Sequence, residues 1–219
     1  MNEISVGNQI WASENLNQLT FRNGESIPIA DNWETWSKYS SKGHPCCAYV
    51  DNKISNRKYG ILYNGFCILD IRNISPDGYR ILNIKDILEM THFLGFPNVI
   101  EDRVYYNNDI AFGLKGNKLW KKTFFGEPGD NSTGLNFLPG GNLTARDGMF
   151  IFDDKGTTAG HWLLDQEMPK EGLRHFPPLP TDWPQERLHQ FTIGTSGDNS
   201  LSIGSSFAAK AHFIRLIKE

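Results

Sequence analysis

Beyond residue 96 the chain is cut into short pieces. Apolar clusters are separated by Gly126-Glu127-Pro128-Gly129-Asp130-Asn131, by Pro139-Gly140-Gly141-Asn142 and by Asp153-Asp154-Lys155-Gly156. No apolar stripe at helical spacing there is long enough for a substantial helix. Punctuation this dense admits short strands and ordered loops, and it excludes a helix bundle. With 21 glycines and 11 prolines the chain turns often, and its 14 Phe, 7 Tyr and 6 Trp supply rings to fill a core between short elements. At 219 residues it reads as one domain, 1–219, large enough to bury its core without a disulfide or metal staple.

The first half carries the helices. Asp31 is placed to cap a short helix with Trp33 and Trp36 on one face at i, i+3. A longer helix starts at Asn83, a good N-cap, with Asp86 in its first turn, where the helix dipole favours a carboxylate. Ile84, Ile87, Leu88, Met90 and Leu94 form its apolar stripe, and Gly95 ends it. Strands are expected within residues 4–16, over Cys46–Val50, and over Ala211–Ile217, which is apolar enough to be buried on both faces. The first and last of these lack another obvious partner, so Gln9–Trp11 is expected beside Phe213–Ile217. Residues 166–187 hold five prolines and read as an excursion outside the core. The class is α+β, helices early and strands late.

Lys and Arg number 22 against 25 Asp and Glu, a net charge of −3, which argues against nucleic acid as a partner. No apolar run approaches the roughly 18 residues of a membrane span. Met1-Asn2-Glu3-Ile4-Ser5-Val6-Gly7 lacks the basic and apolar regions of a signal peptide. This leads us to expect synthesis in a reducing compartment or assembly into an extracellular particle, with the cell surface as the destination if a leader was removed. Cys46, Cys47 and Cys67, an odd set with a vicinal pair, are a poor disulfide framework and are expected as free thiols. No phosphate-cradling glycine motif, H-E-x-x-H or G-x-S-x-G is present, and the six histidines lack metal-ligand spacing. No cofactor is expected. Asp153 and Asp154 are weak candidates for Ca²⁺, as are Asp198 and Asn199, but the ion wants six to eight oxygens and acids in a glycine-rich turn are usually just solvated.

Seven blocks in fixed order carry more information than any of these motifs. They are Gly7-Asn8-Gln9-Ile10-Trp11-Ala12-Ser13-Glu14-Asn15-Leu16, Phe21-Arg22-Asn23-Gly24 with Ile27-Pro28, and Tyr59-Gly60-Ile61-Leu62-Tyr63-Asn64. Then come Ser75-Pro76-Asp77-Gly78-Tyr79, Gly134-Leu135-Asn136-Phe137-Leu138-Pro139-Gly140-Gly141, Trp162, and Ile214-Arg215-Leu216-Ile217-Lys218-Glu219. In this order the chain resembles the Fibrobacter succinogenes major paralogous (FISUMP) domain nearly end to end. The resemblance implies a C-type-lectin-like fold: two helices, a twisted antiparallel sheet, long loops and paired terminal strands, with an irregular second half forming the ligand face. It departs from the family pattern at Ala48 and Leu216, where that pattern often has cysteines, and at Tyr79, Asn142 and Leu163-Leu164. The joint loss of two cysteines fits folding in a reducing compartment.

The expected function is a non-enzymatic recognition module whose second-half loops bind a glycan, peptide or protein partner, since loops on a rigid scaffold carry binding residues. The candidate contacts are His161, Trp162, Asp165, Arg174, His175, Phe176, Trp183, Asp198 and Asn199. The alternative is a receptor-binding or structural part of a phage tail or contractile injection assembly. A relative of the formylglycine-generating oxidases is a weaker reading, because that chemistry needs late cysteines and none follows Cys67.

Overall fold

The computed structural model describes residues 1–99, 104–106, 108–124, 126–146, 149–165, 182–194 and 199–219. In chain order the elements are β1 (Glu3–Val6), β2 (Gln9–Ala12), α1 (Trp33–Ser40), β3 (Cys47–Tyr49), β4 (Ile61–Asn64), α2 (Phe66–Leu69), β5 (Tyr79–Ile81) and α3 (Ile84–Phe93). They continue with β6 (Val104–Tyr106), α4 (Asn108–Leu114), β7 (Asn142–Arg146), β8 (Met149–Asp153), β9 (Thr158–Leu163), β10 (Arg187–Gly194), β11 (Ser200–Phe207), β12 (Ala211–His212) and β13 (Leu216–Lys218). The architecture is α+β, and the strands pair antiparallel.

The strands form three sheets, ordered β1-β2-β13-β5, β6-β11-β10-β9 and β3-β4-β12-β7-β8. In the first, Gly7 adopts φ 59° and turns β1 onto β2. Ile217 then lies opposite Trp11 and Leu216 opposite Ile81, so the two ends of the chain close on each other as expected. Lys218 and Glu3 pair across this seam at 3.0 Å.

The longer helix starts where its sequence predicts. Asn83 accepts from the Asp86 N–H and the Asp86 carboxylate accepts from the Asn83 N–H, a reciprocal cap. Ile87 and Met90 are buried, while Ile84, Leu88 and Leu94 pack at the margin of the core. Beyond residue 96 the described residues hold one short helix, α4, of seven residues against ten in α3, and tertiary packing of Ile110, Ala111 and Leu114 explains it. Two expectations need correction. The cap of α1 is Asn32, not Asp31: Asn32 lies one residue before the helix, with extended backbone, and accepts from the Thr35 N–H. The C-terminal segment is two strands, not one. At Phe213 the backbone binds Gly160 and Trp162, and the chain crosses from the third sheet to the first, which one continuous strand could not serve.

Two hydrophobic clusters result. One gathers α1, α2, β3, β4 and Trp162 around Trp36, Tyr63 and Phe213. The other gathers α3, α4 and the second sheet around Trp11, Phe137 and Phe191. Gly140-Gly141 threads between elements where no side chain fits. A Cβ on Gly140 would lie 2.2 Å from the Phe213 ring, and one on Gly141, at φ 75°, 2.1 Å from the Asp153 carbonyl. Cys46, Cys47 and Cys67 are free and buried. Burial pushes the Cys46 thiol up to about 12 and raises the other two as well, so none is a ready thiolate.

Candidate functional site

The first, fifth and last of the blocks that carry the family resemblance meet at one buried side chain, Arg215. Its Nε donates to Asn15 Oδ1 at 3.1 Å, and its Nη1 donates to the carbonyls of Ala12 at 3.0 Å and Leu135 at 2.8 Å. The guanidinium stacks 4.4 Å from the Phe137 ring centre. Burial pulls its pKa down to about 9, so it remains charged at neutral pH. Asn15 completes the junction by donating to the Tyr59 carbonyl at 2.8 Å and sharing its Oδ1 with His161 Nε2 at 2.9 Å. Arg215 thus ties both ends of the chain to the Gly134–Gly141 loop, and Asn15 extends the junction to Tyr59 and His161. Nothing in the sequence of Arg215 alone signals this.

The same packing decides where the expected contact residues sit. His161 and Trp162 are fully buried on β9, with Trp162 Nε1 donating to the Tyr63 carbonyl at 2.8 Å. Both are part of the packed interior around β9. Trp183 was expected on the ligand side; instead it is 6% exposed and stacks on Trp33 with ring centres 5.5 Å apart. Asp165 is half-buried and accepts from the Ile84 N–H at 3.2 Å, adding a second carboxylate at the start of α3. Burial raises its carboxyl above the ordinary range. Asn199 is buried and accepts from Lys115 Nζ. Arg174, His175, Phe176 and Asp198 lie outside the described residues. The correction has one physical cause: these large or amide side chains stabilise more by filling the core than by waiting in solvent.

Trp183→Ala is therefore expected to act on stability, lowering it by about 2–3 kcal/mol through the cavity left beside Trp33. Urea unfolding checks this, and an unchanged midpoint would return Trp183 to the surface.

Ser206 Oγ and His212 Nε2 lie 3.1 Å apart, a spacing that suits a nucleophile and its base. Burial, however, drives the His212 pKa down to about 3, and its Nδ1 has no hydrogen-bond partner among the described residues. An imidazole this weakly basic is a poor general base, and with both side chains buried the pair serves as a hydrogen bond between β11 and β12. His161 is held well below the usual histidine range for the same reason, burial first and the Arg215 charge second. Because the native fold refuses protons that the unfolded histidines accept near pH 6.5, this stability is present at pH 7 and drains as the pH falls below 6.5. Between pH 7 and 5, His212 alone is expected to cost about 2 kcal/mol. Chemical denaturation at the two pH values tests it, and equal stability would mean that the imidazoles are solvated.

Asp153 is exposed and the Asp154 carboxyl is raised, first by burial and then by Asp153. Among the described residues no group of three or more His, Cys, Asp or Glu side chains is placed to hold a metal ion. A cleft of about 290 Å³ beside β2, α3 and β13 is lined by groups already bound, Arg80 to Asp86 at 2.6 Å, Gln9 to Glu89 at 3.2 Å and Lys218 to Glu3 at 3.0 Å, and by Glu219. No described helix is long and apolar enough to cross a membrane.

The connection between β9 and β10 stands out by its length. These neighbouring antiparallel strands are joined through residues 164–186, where a hairpin needs roughly two to five. The connection leaves the sheet beside α3, clamped by Asp165, and returns beside α1, clamped by Trp183. Compared with known families, residues 4–211 match the Fibrobacter succinogenes major domain. No curated protein and no solved structure matches the chain.

Proposed function

We propose that this chain, which belongs to the Fibrobacter succinogenes major domain family, is a non-enzymatic recognition module of C-type-lectin-like fold that binds a glycan or protein partner through the 164–186 connection. The observation that carries this reading is the clamping of that connection at both roots. A surplus of chain between two paired strands costs little loop entropy, and anchors at its base reduce what remains to be ordered on binding. Between the anchors the sequence supplies Arg174, His175 and Phe176, and Arg and aromatic side chains commonly carry binding energy. Ala12, Asn15, Tyr59, Leu135, Phe137 and Arg215, by contrast, are engaged in the buried junction and serve to hold the platform. The paired ends β2 and β13, the two longer helices α1 and α3 and the turn-rich second half are the features this fold assignment rests on.

The test is a glycan array probed with the intact chain and with a variant whose residues 168–181 are replaced by a short Gly-Ser linker, both anchors retained. The expected result is a glycan class bound by the intact chain and lost at least tenfold in the variant, with thermal midpoints within a few degrees. Equal binding by the two would place the ligand face elsewhere. If the variant unfolds, the connection is part of the core.

A further inference from the structure

Lys115 follows the last turn of α4 and is fully buried, a place where an ammonium is costly unless a carboxylate answers it. Among the described residues it makes no ion pair. Its Nζ donates instead to two neutral oxygens, the Glu127 carbonyl at 3.1 Å and Asn199 Oδ1, and lies 4.9 Å from the centre of the Trp120 ring. Asn199 stands just before β11 and is 3% exposed. An amine nucleophile and a carboxamide are thus held in contact, out of water, between elements 84 residues apart.

We propose that Lys115 and Asn199 form an intramolecular isopeptide bond. Lys115 Nζ attacks Asn199 Cγ, the Nζ–Cγ bond forms and the Cγ–Nδ2 bond breaks. One proton passes from Nζ to Nδ2, and the leaving group departs as ammonia, so the step consumes no oxidant, reductant or further reactant. Two features of the site favour it. Burial lowers the Lys115 pKa to about 8, which leaves on the order of a tenth of the amine neutral and nucleophilic at pH 7. Fixed contact also replaces a bimolecular encounter, and well-oriented intramolecular pairs reach effective molarities of roughly 10⁵–10⁸ M. The product removes the buried charge and staples α4 to the strand pair β10–β11. This inference is independent of the proposed ligand face.

Intact-mass measurement of the purified, denatured chain decides it. The expected mass is about 17 Da below that of the sequence, one ammonia lost. A proteolytic digest should contain a branched peptide joining the Lys115 and Asn199 segments. Asparagine can also lose ammonia by cyclising on its own backbone, so Lys115→Met is the control: it restores the full mass if the amine is the nucleophile and leaves the deficit if it is not. Asn199→Ala must restore it as well. A wild-type chain of full sequence mass overturns the proposal, as does a deficit that survives Lys115→Met, and neither reading depends on whether the variants fold.

Discussion

Replacing Arg215 by methionine is expected to lower stability by about 3–5 kcal/mol, because it removes the donors while leaving their buried acceptors in place. The methionine fills much of the same volume, so the loss reports the hydrogen bonds rather than a cavity. Without the guanidinium the carbonyls of Ala12 and Leu135 lose a donor, and Asn15 Oδ1 keeps only His161. Arg215→Lys keeps the charge but has one nitrogen to serve oxygens set around a planar fork, and most of the loss should remain. Urea unfolding monitored by tryptophan fluorescence measures both. A loss under about 1 kcal/mol for methionine would show that the junction is solvated and the acceptors find water.

Leu216→Asp should cost at least about 4 kcal/mol, among the larger effects a single residue can have. Leu216 is 1% exposed and sits opposite Ile81, inside the sheet that joins the two ends of the chain. A carboxylate there has no cation built to meet it. It must either ionise in an apolar site or take up a proton at neutral pH, and both routes are paid in folding free energy. The variant is expected to be largely unfolded at 37 °C, and a melting temperature within a few degrees of wild type would mean that β13 is peripheral.

Local features of this protein were legible wherever one segment contains its own explanation. The Asn83–Asp86 cap and the apolar stripe after it specify α3 without help, whereas the division of residues 3–12 into two strands at Gly7 came from the structure. The order of the seven blocks was enough to identify the family. The closure of β2 on β13 was also foreseeable, since two apolar ends lacked any other partner.

What only the tertiary structure decided is which side chains belong to the scaffold. His161 and Trp162 are neighbours on β9, and on a strand buried on one face only one of them would be hidden. Both are at 0% because β9 is covered on both faces, by Phe213 and Phe137 on one side and by His212 on the other. Period-two reading has no access to that second cover. Trp183 and Asn199 were misplaced for the same reason, their partners Trp33 and Lys115 being 150 and 84 residues away. Arg215 is the extreme case. An arginine near the end of a chain reads as a solvated charge, and its burial becomes affordable only where Asn15, Ala12 and Leu135 arrive together to accept its protons.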